Sequence, residues 1–184
     1  MKLKNKITNS IKRYDIVCLW INNCDSKSSF LLAFYGVLLS FIASSSLIDK
    51  IKKTLSLSIN KKCIDGESII KFVSLVCLLL FIFFTIRFFY FIYNTLKARI
   101  NPNVFTQNNL MTNSNLFFQT ISQNNYEDFE NLINSENKTD FLSDLNSQIY
   151  INSKIATIKF NNYNTSISST FLGLLFFMLY VYLS

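Results

Sequence analysis

Ser28-Ser-Phe-Leu-Leu-Ala-Phe-Tyr-Gly-Val-Leu-Leu-Ser-Phe-Ile-Ala-Ser-Ser-Ser-Leu-Ile48 is a run of 21 residues without a charge. At a rise of about 1.5 Å per helical residue it covers a hydrocarbon core of roughly 30 Å. The stretch reads as a membrane-spanning helix. Basic residues before it, and Ala43, Ser44, Ser45 and Ser46 near its end, also suit a cleaved secretory signal. Against that reading, the run begins only at residue 28 and is longer than the apolar part of such signals.

Outward from this stretch the pattern repeats. Residues 72–96 are apolar and interrupted only by Arg87, and residues 160–184 carry no charge. Half of the 184 residues are apolar and 19 are Phe, yet they gather in three blocks separated by stretches rich in Asn, Ser and Lys. A single soluble core would spread them more evenly. The expected fold is all-α: an integral membrane protein with three transmembrane helices and a small helical cytosolic segment, the last helix long and continuous into the membrane. The expected organisation is a basic amphipathic N-terminal helix (1–27), a first span (28–48), a polar loop (49–71), a second span (72–96), a polar cytosolic segment (97–159) and a third span (160–184).

The net charge of +7 comes from 18 Lys and Arg against 11 Asp and Glu. These cations flank the apolar blocks rather than forming one groove-facing surface, so they suit anionic lipid headgroups and not nucleic acid. With the amino terminus and residues 97–159 both inside, eleven cations lie on the inner side (Lys2, Lys4, Lys6, Lys12, Arg13, Lys27, Lys97, Arg99, Lys138, Lys154, Lys159). Six lie in the 49–71 loop (Lys50, Lys52, Lys53, Lys61, Lys62, Lys71). The excess favours that orientation.

Ile7, Ile11, Tyr14, Cys18 and Ile21 form one apolar stripe of a helix with a basic opposite face. Such a helix lies on the inner membrane surface with Trp20 at headgroup depth, or extends the first span as a solvated rod. Gly36, Ser40 and Ser44 recur every four residues in the first span, as do Thr165, Ser169 and Gly173 in the third. Small residues on one face let helices approach closely, within one chain or between chains. Arg87 sits among Phe83, Phe84, Phe88, Phe89, Tyr90 and Phe91. Snorkelling to the interface explains it better than a pore-lining or helix-pairing role.

In the middle segment the Asn-rich tract 101–115, with the only proline at Pro102, reads as a linker. Leu116, Phe117, Phe118 and Ile121 form a piece too short to classify. Asn124 with Glu127 resembles a capping box before a short amphipathic helix carrying Tyr126, Phe129, Leu132 and Ile133. A long helix is expected from a cap near Thr139 without Pro or Gly until Gly173. Its apolar face is formed by Leu142, Leu145, Ile149, Ala156, Phe160, Tyr163 and Ile167.

Nothing here resembles an enzyme active site. There is no histidine, which removes imidazole-based triads and His-containing metal sites. The three glycines (Gly36, Gly66, Gly173) stand too far apart for a phosphate loop. Glu127, Asp128, Glu130, Glu136, Asp140 and Asp144 are spaced like solvated helix faces. Cys18, Cys24, Cys63 and Cys77 have no metal-ligand spacing. No cofactor and no metal are expected.

Two stretches carry a family resemblance. Asp25-Ser-Lys27-Ser-Ser-Phe30-Leu-Leu, leading into the first span, is similar to an Asp-x-Lys-Ala-x-x-Leu-Leu pattern. The second comprises Asn115-Leu-Phe-Phe118, Tyr126-Glu-Asp-Phe129, and the run Asp144-Leu-Asn-Ser-Gln148-Ile-Tyr150-Ile-Asn-Ser153-Lys-Ile-Ala156-Thr-Ile-Lys159-Phe160 into a terminal span. In order and layout, over most of the chain, it resembles the transmembrane effectors of Pycsar antiphage systems. Ser28 replaces the usual alanine after Lys27, and Gln119-Thr-Ile121-Ser replaces Gly-Asp-Ile-Ala.

The resemblance implies an abortive-infection effector, multi-pass in the bacterial inner membrane. A partner cyclase makes a cyclic pyrimidine mononucleotide (cCMP or cUMP), the effector senses it, oligomerises, and disrupts the membrane. Asp144, Gln148, Tyr150, Ser153, Lys154 and Lys159 are the candidate ligand residues, with Lys154 and Lys159 also readable as headgroup anchors. Asp25 and Lys27 are the motif residues. The competing readings are a constitutive holin-like pore and a structural subunit of a membrane complex.

Overall fold

The computed structural model describes residues 2–44, 46–55, 66–97 and 102–184. Among them every regular element is a helix: α1 (Leu3–Ser44), α2 (Leu47–Leu55), α3 (Gly66–Lys97), a 3-10 turn (Pro102–Thr106), α4 (Phe118–Gln123), α5 (Tyr126–Ser135) and α6 (Lys138–Leu183). Three of these, α1, α3 and α6, are long and apolar enough to cross a membrane. The last is continuous over 46 residues, about 69 Å of helix. The loop residues Lys61, Lys62, Cys63 and Asp65, together with Arg99, lie outside the described residues.

Several boundaries differ from the sequence expectation. α1 ends at Ser44, and Leu47 and Ile48, expected at the end of the first span, open α2, which continues into the expected polar loop. At the other end, α1 is unbroken from Leu3, so the amphipathic stripe belongs to an extension of the first span rather than to a separate helix. The short apolar piece becomes α4. The cap of α5 is Asn125, whose side chain accepts from Asp128 N at 2.8 Å, one residue later than expected. Asn137, not Thr139, caps α6, accepting from Thr139 N at 2.9 Å and Asp140 N at 3.0 Å.

The chain divides into two units, and both α1 and α6 contribute to each. Residues 26–97 and 161–184 form the apolar unit. Its core joins Ile42, Cys77, Leu78, Phe81 and Tyr180, and beside them Tyr35, Phe88 and Ile92. Tyr35 stacks on Phe88 with ring centroids 4.1 Å apart, a contact worth about 0.5–1.5 kcal/mol beyond its area. Its hydroxyl pairs with Thr85 Oγ1 at 2.9 Å, so the phenol is not left unsatisfied.

The same unit turns Phe30, Val37, Ile86, Phe171 and Met178 outward, each at least 65% exposed. Leaving such side chains in water forfeits about 1.5–3 kcal/mol each, together comparable to the whole stability of a domain. A lipid surround removes that cost, and it explains why the outer face is as apolar as the core.

The two small-residue stripes part company here. Ser169 and Gly173 are buried, and a Cβ on Gly173 would meet the Tyr35 hydroxyl at 3.4 Å and Phe84 Cβ at 3.5 Å. Thr165 is half-buried on the same side. Gly36 and Ser40 are exposed, with nothing within 4 Å of a Cβ on Gly36. The side chain of Ser44 lies outside the described residues. Arg87 is half-buried, its guanidinium 5.6 Å from the Phe91 ring centroid.

A polar clasp on the long helix

Residues up to 25 and 98–160 form the second unit, and the first half of α6 runs through it. Helical spacing brings Asp144, Gln148, Ile151 and Lys159 to one side of α6, and all four are buried together with Leu145 and Ser147. The apolar face expected from the sequence (Leu142, Ile149, Ala156, Phe160) is only half-buried; Leu145 alone of its members in this unit is fully enclosed. What packs inward along this half of the helix is largely polar.

The Asn-rich tract covers that face. Asp144 accepts from Asn115 N through Oδ2 at 2.8 Å, and Ser147 Oγ accepts from Met111 N at 3.0 Å. Gln107 Nε2 donates to the Tyr150 hydroxyl at 3.0 Å. Asn109 sits at φ 66°, in the left-handed region that Asn tolerates better than most side chains. Residues 107–115 are therefore an ordered clasp and not a linker. Asp144, spaced like a solvated carboxylate, is 1% exposed, and its Oδ1 has no hydrogen-bond partner among the described residues.

Between the tract and the helix lies a recess of about 240 Å³, bounded by Gln107, Asn108, Asn109, Asn146, Ser147 and Tyr150. Carboxamides and hydroxyls dominate it, a donor and acceptor set suited to an uncharged polar edge. Lys154, one turn beyond Tyr150, is exposed, with its ammonium 5.3 Å from the Tyr150 ring centroid. Ser153 Oγ donates to the Tyr150 carbonyl at 2.7 Å. Gln148 is buried beside Ser147.

Lys159 lies apart from this group. Its Nζ donates to Asp25 Oδ1 at 2.5 Å. The amino-terminal part of α1 is further held by Ser10 Oγ, which donates to Asn146 Oδ1 at 2.9 Å, and by the Trp20–Phe160 edge contact at 5.9 Å. The sequence singles out Asp25, Lys159 and, as a motif residue, Asn115, but pairs none of them, and nothing in it points to Gln107 or Met111. Lys27, the second motif residue, is exposed in the apolar unit, where it lines a shallow groove with Phe30, Leu31 and Tyr163. Among the described residues no cluster of His, Cys, Asp and Glu could hold a metal.

The profile of the Pycsar effector protein domain matches residues 11–184. The chain is 31% identical over 178 residues to the Pycsar effector protein GmPycTM of Gulbenkiania mobilis, an alignment that covers 91% of this chain and 90% of that protein. No solved structure matches. With three helices able to span a membrane and this match along nearly its whole length, the chain belongs to the Pycsar effector family, as a multi-pass membrane effector of antiphage defence.

Proposed function

We propose that a cyclic pyrimidine mononucleotide, cCMP or cUMP, made by a partner cyclase, binds the polar clasp on α6 and switches the protein to an oligomer that disrupts the bacterial inner membrane. The observation that carries this reading is the continuity of α6. A single helix bears a buried polar face in one half and a span in the other, so a ligand that favours one packing of the polar half acts on the element that crosses the lipid. Such a ligand shifts the equilibrium only by its difference in affinity for the two packings.

The residues suit the ligand chemically. Tyr150, with the recess carboxamides of Gln107, Asn108, Asn109 and Asn146, offers donors and acceptors to a base edge, Gln148 and Ser153 lie beside it on α6, and Lys154 supplies a cation for the single phosphate charge. Asp144 and Lys159 hold the helix against the tract and against α1, respectively. The outward Gly36 and Ser40 face supports association between chains, with Ser44 continuing the stripe in sequence. The inner membrane is what membership of the Pycsar effector family suggests, with residues 97–159 placed on its cytosolic side. No step of this function calls for catalysis by the chain.

The test is dye release from liposomes holding the purified full-length protein, with cCMP, cUMP, cAMP or no nucleotide. Release only with a pyrimidine nucleotide is expected. Equal release without nucleotide would make the protein a constitutive pore, and no release under any condition would favour a structural subunit. Lys154→Ala should raise the nucleotide concentration needed for release.

A further inference from the structure

Between Arg99 and Lys138 the chain has no cation, and α5, within that stretch, carries Glu127, Asp128 and Glu130. These carboxylates are exposed and flank an apolar stripe of Tyr126, Phe129 and Ile133, which helical spacing brings to one side. No residue of α5 is buried, so the stripe stays largely open.

The amino-terminal part of α1 has the opposite character. Residues 1–13 hold five cations and no carboxylate, and Asp15 offsets one of them. Lys12, Ile16 and Leu19 follow at spacings of four and three with Arg13 beside them, and all four are exposed. The opposite side of the helix is the one held to α6, through Ser10 and Asn146. None of Lys12, Arg13, Glu127, Asp128 and Glu130 has an ion-pair partner among the described residues.

Both surfaces belong to the polar unit and stand at matching levels of α6. Glu136, directly after α5, accepts from Asn115 Nδ2 at 3.2 Å, and the amide of the same Asn115 meets Asp144. Ser10 meets Asn146, within one turn of Asp144. Copies standing in one bilayer share a common depth, so a contact between them has to join surfaces of equal level.

We infer that α5 of one copy docks on the exposed basic side of α1 in a second copy: the stripe of Tyr126, Phe129 and Ile133 covers Ile16 and Leu19, while Glu127 and Glu130 face Lys12 and Arg13. This rests on the reading that the effector oligomerises, and it names the surfaces that meet. The contact is heterologous, so its repetition closes a ring where the rotation permits. Exposed ion pairs are individually weak; the contact therefore selects which faces meet, and the trigger stays with the clasp. Anionic lipid suits neither surface. Carboxylates surround the stripe of α5, and about 22 Å of continuous helix separates Arg13 from Ser28, where the uncharged run begins.

The experiment measures energy transfer between donor-labelled and acceptor-labelled copies of the full-length protein in phosphatidylcholine liposomes with cCMP or cUMP. Wild type is expected to show transfer. Glu127→Lys/Glu130→Lys alone and Lys12→Glu/Arg13→Glu alone should each lower it about fivefold, with far-UV helicity unchanged. An equimolar mixture of the two variants pairs each reversed surface with its new complement and should regain most of the signal, as should the variant carrying all four substitutions. Wild-type transfer in either double variant overturns these surfaces, and so does loss in both without recovery on mixing. Transfer that wild type shows only when phosphatidylglycerol is added, and that only Lys12→Glu/Arg13→Glu abolishes, overturns the contact and gives the cations to lipid. No transfer in wild type with either nucleotide would overturn oligomerisation itself, a failure distinct from that of the interface.

Discussion

Lys159 Nζ meets Asp25 Oδ1 at 2.5 Å across 134 residues of chain, joining α6 to α1 within one unit. The lysine side chain is only 7% exposed and the aspartate 39%. Between fully enclosed charges, loss of one partner costs about 3–5 kcal/mol because the other is stranded. Partial exposure of Asp25 reduces that figure, since water takes up part of the charge.

Asp25→Ala is therefore expected to destabilise the protein by about 2 kcal/mol, through the stranded ammonium. Lys159→Met removes the buried charge instead and costs less. The double variant Asp25→Ala/Lys159→Met should recover at least about 1 kcal/mol relative to the sum of the single effects. Unfolding titrations in mixed micelles measure the cycle. A coupling below about 0.3 kcal/mol would show that the pair contributes no more than an exposed ion pair does.

The bond from Asn115 N to Asp144 makes a second, local prediction. Asp144→Ala removes the acceptor of the Asn115 amide, while Ser147 still holds Met111 and Glu136 still accepts from Asn115 Nδ2. Amide exchange at Asn115 and Leu116 should rise about tenfold, the equivalent of about 1.4 kcal/mol, with little change along α5. Uniform acceleration through the whole unit would mean that Asp144 supports the fold rather than the tract.

The spans were legible because the absence of charge over 21 residues has few explanations, whereas the clasp was not. Asp144 occupies a position that helical spacing alone assigns to solvent. It is buried only because a tract some thirty residues earlier folds over it, and Asn-rich composition describes such a tract and a linker equally well. Lys159 and Asp25 each had a sufficient local explanation, a headgroup anchor and a motif residue, so nothing in the sequence called for a partner 134 residues distant. The cap of α5 was misplaced by one residue because Asn124 and Asn125 are chemically identical. Only the backbone turn decides which carboxamide reaches the Asp128 amide.

Gly173 and Gly36 separate packing inside the chain from packing between chains. Gly173→Leu forces a branched side chain against the Tyr35 hydroxyl and Phe84 and should cost about 1–3 kcal/mol. Gly36→Leu meets open space and should leave the stability of the single chain within about 0.5 kcal/mol of wild type. If chains associate through the Gly36 and Ser40 face, the same substitution should reduce cross-linked oligomer severalfold in nucleotide-treated liposomes. Undiminished cross-linking would move the contact to another face.

Lys154 and Lys159 look alike in sequence and should behave differently under substitution. The Lys154 ammonium is exposed over the Tyr150 ring, a contact worth about 0.5–1 kcal/mol, so Lys154→Ala should barely change stability. As the cation that meets a ligand phosphate, its loss should raise the cCMP or cUMP concentration for half-maximal dye release about tenfold, and Lys154→Arg should restore part of the response. The double variant Asp25→Ala/Lys159→Met removes the ion pair without touching Lys154. Its half-maximal concentration should therefore shift less than that of Lys154→Ala, even where its stability is lower. A Lys154→Ala response that overlays wild type would take this lysine out of the ligand site and leave the carboxamide recess to bind without it.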